Sequence, residues 1–140
     1  MGILISTVDH QTRERIAYGM GDRTRAAEIH TEADKEGLLM KTNASFAGFL
    51  DDILAQLDAP APKLLFVQGQ VANPANPGDL GPEGCRALAD FLDARSDDEI
   101  VSAMEVVCPD GSDMGPALEF VRDLQKTIRA AADHKGLQVF

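Results

Sequence analysis

The stretch that decides the fold is Gly37 to Leu57, GLLMKTNASFAGFLDDILAQL. Within it Phe46, Phe49, Leu50, Ile53, Leu54 and Leu57 recur at i, i+3, i+4, i+7, i+8 and i+11, a single apolar stripe at the helical period. Asn43 or Thr42 supplies the N-cap, since either side chain can accept from the free N–H groups of the first turn. The apolar run Leu38-Leu39-Met40 just before the cap predicts a strand entering a core helix. Asp51 and Asp52 are predicted on the face opposite the stripe.

Working outward, Gly2 to Val8 is rich in Ile, Leu and Thr and reads as an opening strand. Asp9 is placed to cap a helix through about Tyr18, which Gly19-Met20-Gly21 ends. Between Asp22 and Glu36 two patterns compete. Ala26, Ile29 and Ala33 fit one side of a helix, whereas Ala27, Ile29, Thr31 and Ala33 alternate with polar residues as a half-exposed strand would. Arg13, Arg15, Arg23 and Arg25 form the one local concentration of positive charge.

On the C-terminal side, Ala59-Pro60-Ala61-Pro62 stops the central helix, because proline cannot continue it and restricts the residue before it. Leu64 to Val71 is predicted as a short buried strand or extended segment, and Asn73 to Pro82, NPANPGDLGP, as a surface loop. Pro82 suits a first helical position, with Cys85, Leu88, Ala89 and Leu92 following on one face. Ser96 and Glu99 form a capping box for a helix from about Asp97 that buries Ile100, Val101 and Met104 and ends before Pro109. The last helix, from Pro116 to about His134, carries Leu118, Val121, Leu124, Ile128 and Ala131, with Gly136 as its left-handed terminator. Leu137 to Phe140 closes as a strand.

These elements assemble most simply as one α+β domain spanning residues 1–140. A small antiparallel sheet includes both chain termini and packs against three to five helices. A chain of 140 residues is long enough to bury a core unaided. The βαβ alternation of a nucleotide-binding sheet is missing.

Composition narrows the functional classes. The formal charge is −10, which opposes contact with a nucleic-acid backbone. Residues 1–41 hold six Lys or Arg and seven Asp or Glu, net −1; residues 42–140 hold seven and sixteen, net −9. Aromatic content is 5% with no Trp, too thin for a base-stacking surface. Cys85 and Cys108 lack the partners of a disulfide framework or zinc site and read as free packing thiols. The first residues lack the basic start and apolar length of a signal peptide, and no window reaches the ~18 apolar residues of a membrane span. The expected location is the cytoplasm. Met1-Gly2 followed by Ser6 fits a myristoylation pattern too short to carry an argument.

No stretch specifies a chemistry. Gly19-Met20-Gly21 lacks the glycines and Gly-Lys-Ser/Thr end of a phosphate loop, and Asp110-Gly111-Ser112-Asp113 lacks the ligand order and distant Glu of a calcium loop. His10, His30 and His134 are too far apart for a local ligand pair. Ser45 stands at a strand-to-helix corner without the glycines of a nucleophile elbow. No metal ligands, cofactor or catalytic residues are therefore assigned.

Taken together, the MGILIS opening, the Lys41-Thr42-Asn43-Ala44-Ser45-Phe46 helix entry, the Leu80 to Ala89 segment LGPEGCRALA and the closing Gly136-Leu137-Gln138-Val139-Phe140 resemble the layout of small uncharacterised bacterial proteins. Some of these are suspected of being toxin-neutralising immunity proteins. Their last strand often opens Gly-Gly, where this chain has Lys135-Gly136. The resemblance implies a compact bacterial cytosolic domain and brings no catalytic residues. With the acidity after residue 41, it points to a protein-binding module with a basic partner, engaged through Asp51, Asp52, Asp93, Asp97, Asp98 and Glu99. Two alternatives are a small-ligand binder or enzyme with a pocket formed by His30, Asn43 and Ser45, and a homo-oligomeric structural protein assembled through the N-terminal segment.

Overall fold

The computed structural model describes residues 2–66, 69 and 80–140. In chain order these form β1 (Gly2–Thr7), α1 (Val8–Gly19), α2 (Arg23–Lys35), β2 (Leu39–Asn43), α3 (Ala44–Gln56), α4 (Pro82–Asp93), α5 (Asp97–Val107), α6 (Gly115–Ala132) and β3 (Leu137–Val139). The fold is α+β, with a three-stranded antiparallel sheet ordered β2-β1-β3 that takes in both ends of the chain. Six helices are described, against the three to five expected, because the ambiguous Asp22 to Glu36 segment is α2.

Local chemistry resolves that ambiguity in favour of helix. The Asp22 carboxylate accepts from the Arg25 N–H at 2.9 Å and caps the first turn, and Ala26, Ile29 and Ala33 are buried on one side. The helix ends in a Schellman turn: Gly37 N–H donates to Asp34 O and Leu38 N–H to Ala33 O, with Gly37 in the left-handed region at φ +72°. The same pair of bonds ends α1 at Gly21 (φ +80°), so Gly19-Met20-Gly21 is a helix stop. It also ends α3, where Asp58 takes the left-handed position at φ +62° in place of glycine.

The expected caps are in place. Asn43 Oδ1 accepts from Phe46 N–H at 2.8 Å, and Ser96 and Glu99 make both bonds of the capping box. At α1 the cap is Thr7 instead of Asp9, and its hydroxyl turns to His10 rather than to the backbone.

β1 is the middle strand, and its alternation sends neighbouring side chains into different clusters. Ile3 and Ile5 enter the main core with Leu50, Ile53, Leu92, Ile100, Met104, Leu124 and Ile128. Leu4 packs instead with Ala33, Leu38 and Leu39. The buried arc of α3 is centred on Ala47, Leu50, Ile53 and Leu54, with Phe46, Phe49 and Leu57 at its half-buried margin. Phe46 meets Phe120 of α6 edge-on, with centroids 4.9 Å apart. Of the predicted extended segment Leu64 to Val71, Leu64 to Phe66 form a turn whose Leu65 and Phe66 are buried; beyond Phe66 only Gly69 is described. Most of the predicted loop Asn73 to Pro82 lies outside the described residues, and Pro82 opens α4. Gly69 N–H donates to Val139 O, and Leu137 N–H donates to Leu80 O, so the outer side of β3 is hydrogen-bonded. No helix is long and apolar enough to cross a membrane among the described residues.

Removing the cap should loosen α3 against the sheet. Asn43→Ala is expected to lower unfolding stability by about 1 kcal/mol in urea titration; an unchanged midpoint and slope would show the cap idle.

Candidate functional site

Four of the predicted acidic residues lie around α5, and most of them are occupied. Arg122 of α6 donates through Nε to Asp97 Oδ1 at 2.9 Å, through Nη1 to Leu92 O and Gln125 Oε1 at 2.8 Å each, and through Nη2 to Arg95 O at 2.7 Å. The guanidinium thus ties the end of α4 and the start of α5 to α6. Gln125 also reaches Asp93 Oδ1 at 3.4 Å. Glu99 accepts from Ser96 N–H and pairs with Arg95 at 3.5 Å. The Ser96 backbone bond, aided by Arg95, holds its carboxyl below the usual value. Asp93, Asp97 and Glu99 therefore shape the helix junction.

Asp98 is different: it is exposed and makes no ion pair among the described residues. With Ser102 and Val106 it stands at i, i+4 and i+8, one line along α5 that faces Gln56 and Leu57 at the end of α3. The open groove between them has a volume of about 470 Å³. Val106 is 61% exposed, an apolar spot at its α5 wall. Glu105 lies beside that line and Asp52 one turn before Gln56, both exposed and free of ion pairs among the described residues.

Asp51 is not part of an exposed face, contrary to expectation. It is 8% exposed, and its carboxylate accepts from the buried Phe66 N–H at 3.2 and 3.3 Å. The helical period places it next to Ala47 and Leu54, and the Lys63 to Phe66 turn folds back over that side. Burial pushes the Asp51 carboxyl up, opposed by the Phe66 and Leu65 N–H groups. Asp51 is a tether between α3 and the following turn; Asp52 beside it is exposed.

The predicted pocket of His30, Asn43 and Ser45 does not come together. Asn43 pairs with Gly2 at one end of β1. His30 reaches Glu14 at 3.4 Å, and Glu14 reaches His10, which bonds Thr7 at the opposite end of β1. Five strand steps separate those ends, roughly 17 Å. Asn43 is committed to capping, and Ser45 is exposed in the first turn of α3.

His30 belongs to a polar knot where β1, α1 and α2 meet. Thr7 Oγ1 lies 3.2 Å from His10 Nδ1, His10 Nε2 3.6 Å from Glu14 Oε2, and Glu14 Oε1 3.4 Å from His30 Nδ1. His10 is 3% exposed, and burial lowers its pKa from 6.5. The order hydroxyl, imidazole, carboxylate has the chemistry of a nucleophile relay, but Thr7 is wholly buried, so no substrate reaches it. Among the described residues no group of three His, Cys, Asp or Glu is arranged to hold a metal ion. Cys85, buried in α4, has its thiol pushed up to about 11 by burial and remains unreactive packing; Cys108 is likewise free.

The knot has a local signal, Thr7, His10 and Glu14 at helical spacing, and a non-local one, His30, that spacing cannot supply. No protein-family model, curated protein or solved structure matches the chain.

Removing the buried tether should cost more than removing its exposed neighbour. Asp51→Ala leaves the Phe66 N–H without a partner, a loss of about 1–3 kcal/mol, whereas Asp52→Ala stays within about 0.5 kcal/mol. Paired urea titrations of the two variants check this, and equal losses would refute it.

Proposed function

We propose that this chain is a small acidic protein-binding module that docks a basic partner protein in the groove between α3 and α5 and blocks it, in the manner of an immunity-type inhibitor. The observation that carries this is the composition of the groove. Asp98, which makes no ion pair among the described residues, lines it with Gln56, Leu57, Ser102 and the exposed Val106, the groove's Arg95 is already paired to Glu99 at 3.5 Å, and Asp52 and Glu105 add exposed carboxylates on the same two helices. A Lys or Arg side chain crossing such a groove finds both halves of what it needs, an apolar wall for its methylene stem and a carboxylate for its head.

The rest of the surface supports encounter. A charge of −10 steers a cationic partner toward the molecule and slows the approach of an anionic one. Rigid presentation favours binding as well: the capping box and the Arg122 bracket fix α5 before any partner arrives, so little ordering is left to do at the interface. Asp93, Asp97 and Glu99 contribute to this reading as supports of the face, and Asp98 as a contact.

Asp98→Lys and Glu105→Lys reverse charge at exposed positions outside the core. With the tagged chain as bait in host extract, the expected catch at low salt is one stoichiometric basic protein whose activity the purified chain suppresses. Rebuilt from purified components, the complex should weaken roughly tenfold or more with each reversal, and again with added salt. A complex indifferent to both substitutions and to salt would overturn the assignment, as would an extract that yields no basic partner.

A further inference from the structure

The knot of His10, Glu14 and His30 has no part in that docking face, and its burial and charge make it a device. We infer that it is an acid-sensitive latch, closed at neutral pH and opened by protonation, which holds the α1–α2 hairpin in place. The polar atoms left over in this region are the first sign. Among the described residues, His10 Nε2, Glu14 Oε2, Ser6 Oγ and Gln11 Oε1 are buried without a hydrogen-bond partner, although Ser6 and His10 are among the most deeply buried polar residues. A polar layer this incompletely satisfied is poised to rearrange.

Charge counting around His10 gives the direction. Its own helix offers Asp9, Arg13 and Glu14, and α2 offers His30. β1 offers the Thr7 hydroxyl and no ionisable group. The turn after α6 offers His134 and Lys135, but both lie against Asp9, at 3.6 and 3.9 Å, and draw that carboxylate away. Protonated, His10 would hold a cation at a site 3% exposed, and its nearest carboxylate, Glu14 at 3.6 Å, is shared with His30. A buried cation so weakly paired is drawn toward water.

The apolar contact between the two helices is Ala17, Ala26 and Ile29, a small satellite of the main core. The sign of the linkage is consistent. Because burial sets the folded-state pKa of His10 below 6.5, the open chain takes up the proton first, and closure weakens as pH falls from 6.5 toward the folded value. Above 6.5 His10 contributes no pH dependence. Opening uncovers Ala17, Ala26 and Ile29 next to Ile16 and Met20, which are already exposed at 57% and 80%, so acid would create one larger apolar surface on α1 and α2.

Amide hydrogen exchange on the full chain tests this, with rates corrected for the intrinsic effect of pH. Between about pH 7.5 and 5.5, exchange in α1 and α2 should quicken several-fold, up to roughly tenfold, while α4 and α6 keep their protection. His10→Gln keeps a polar side chain without the titration, and should hold α1 and α2 closed at the lower pH. Loss of protection in all helices together, or opening of His10→Gln at the wild-type pH, would overturn the latch. If that variant fails to fold, imidazole NMR of the wild-type chain decides. His10 titrating below 6.5 in step with α1 and α2 exchange supports the latch, and titration without any change in exchange refutes it.

Discussion

Everything in this molecule is placed by the double pairing of β1. Ile5 is opposite Met40 on one side and Val139 on the other, and Ser6 is opposite Leu39 and Gln138, so the strand has no free edge over its second half. Its side chains then need cover in both directions, and Ile5, Ser6 and Thr7 have no measurable exposure. The main core, built from α3 to α6, receives Ile3 and Ile5. Ala33 of α2 packs against Leu4 and Leu39 of the alternate set. A three-stranded sheet is small, but enclosed in this way it is an interior element, and the amphipathic helices around it have one way to face.

That enclosure separates two kinds of acidic residue that look alike in composition. Asp51, Asp93, Asp97 and Glu99 satisfy donors of the chain itself: a buried amide, a glutamine, a bracket of arginine bonds and a helix start. Asp52, Asp98 and Glu105 satisfy none among the described residues. The first group stabilises the scaffold, and the second projects charge from it. A surface pair such as Arg95 with Glu99 adds little by itself. The Arg122 bracket does more, because it also ends on the two backbone carbonyls Leu92 and Arg95 and so fixes the corner between α4 and α5.

Much of this was legible in advance, for reasons that also explain the rest. Caps and stripes are local: Asn43 with Phe46, Ser96 with Glu99, and the 3.6-residue spacing of α3 and α6 need no knowledge of the remaining chain. The two termini in one sheet followed from their β-branched and apolar content. Asp51 was misplaced because a periodic stripe gives the centre of a buried face and not its width, which the returning Phe66 extends by one position. Asp22 to Glu36 fitted both periods, since its apolar residues are few and small; the Asp22 cap and the Gly37 turn decide it. The pocket of His30, Asn43 and Ser45 joined residues near one another in sequence, whereas β1 runs between them and keeps them at its two ends. The His10, Glu14 and His30 contact depends on two helices meeting, which no spacing within either one reveals.

The pairing of Ile5 with Val139 also sets an order of events. It joins residues 134 positions apart (139 − 5), so the contact carries a large loop-closure entropy. The helices and the β1–β2 pairing are far more local and reward ordering earlier. Until Leu137, Gln138 and Val139 arrive, β1 has one bare hydrogen-bonding edge beside Ile3 and Ile5, the kind of edge that recruits strands from other chains. Leu137, Gln138 and Val139 are thus more than a closing segment: they shield an apolar strand from its own kind.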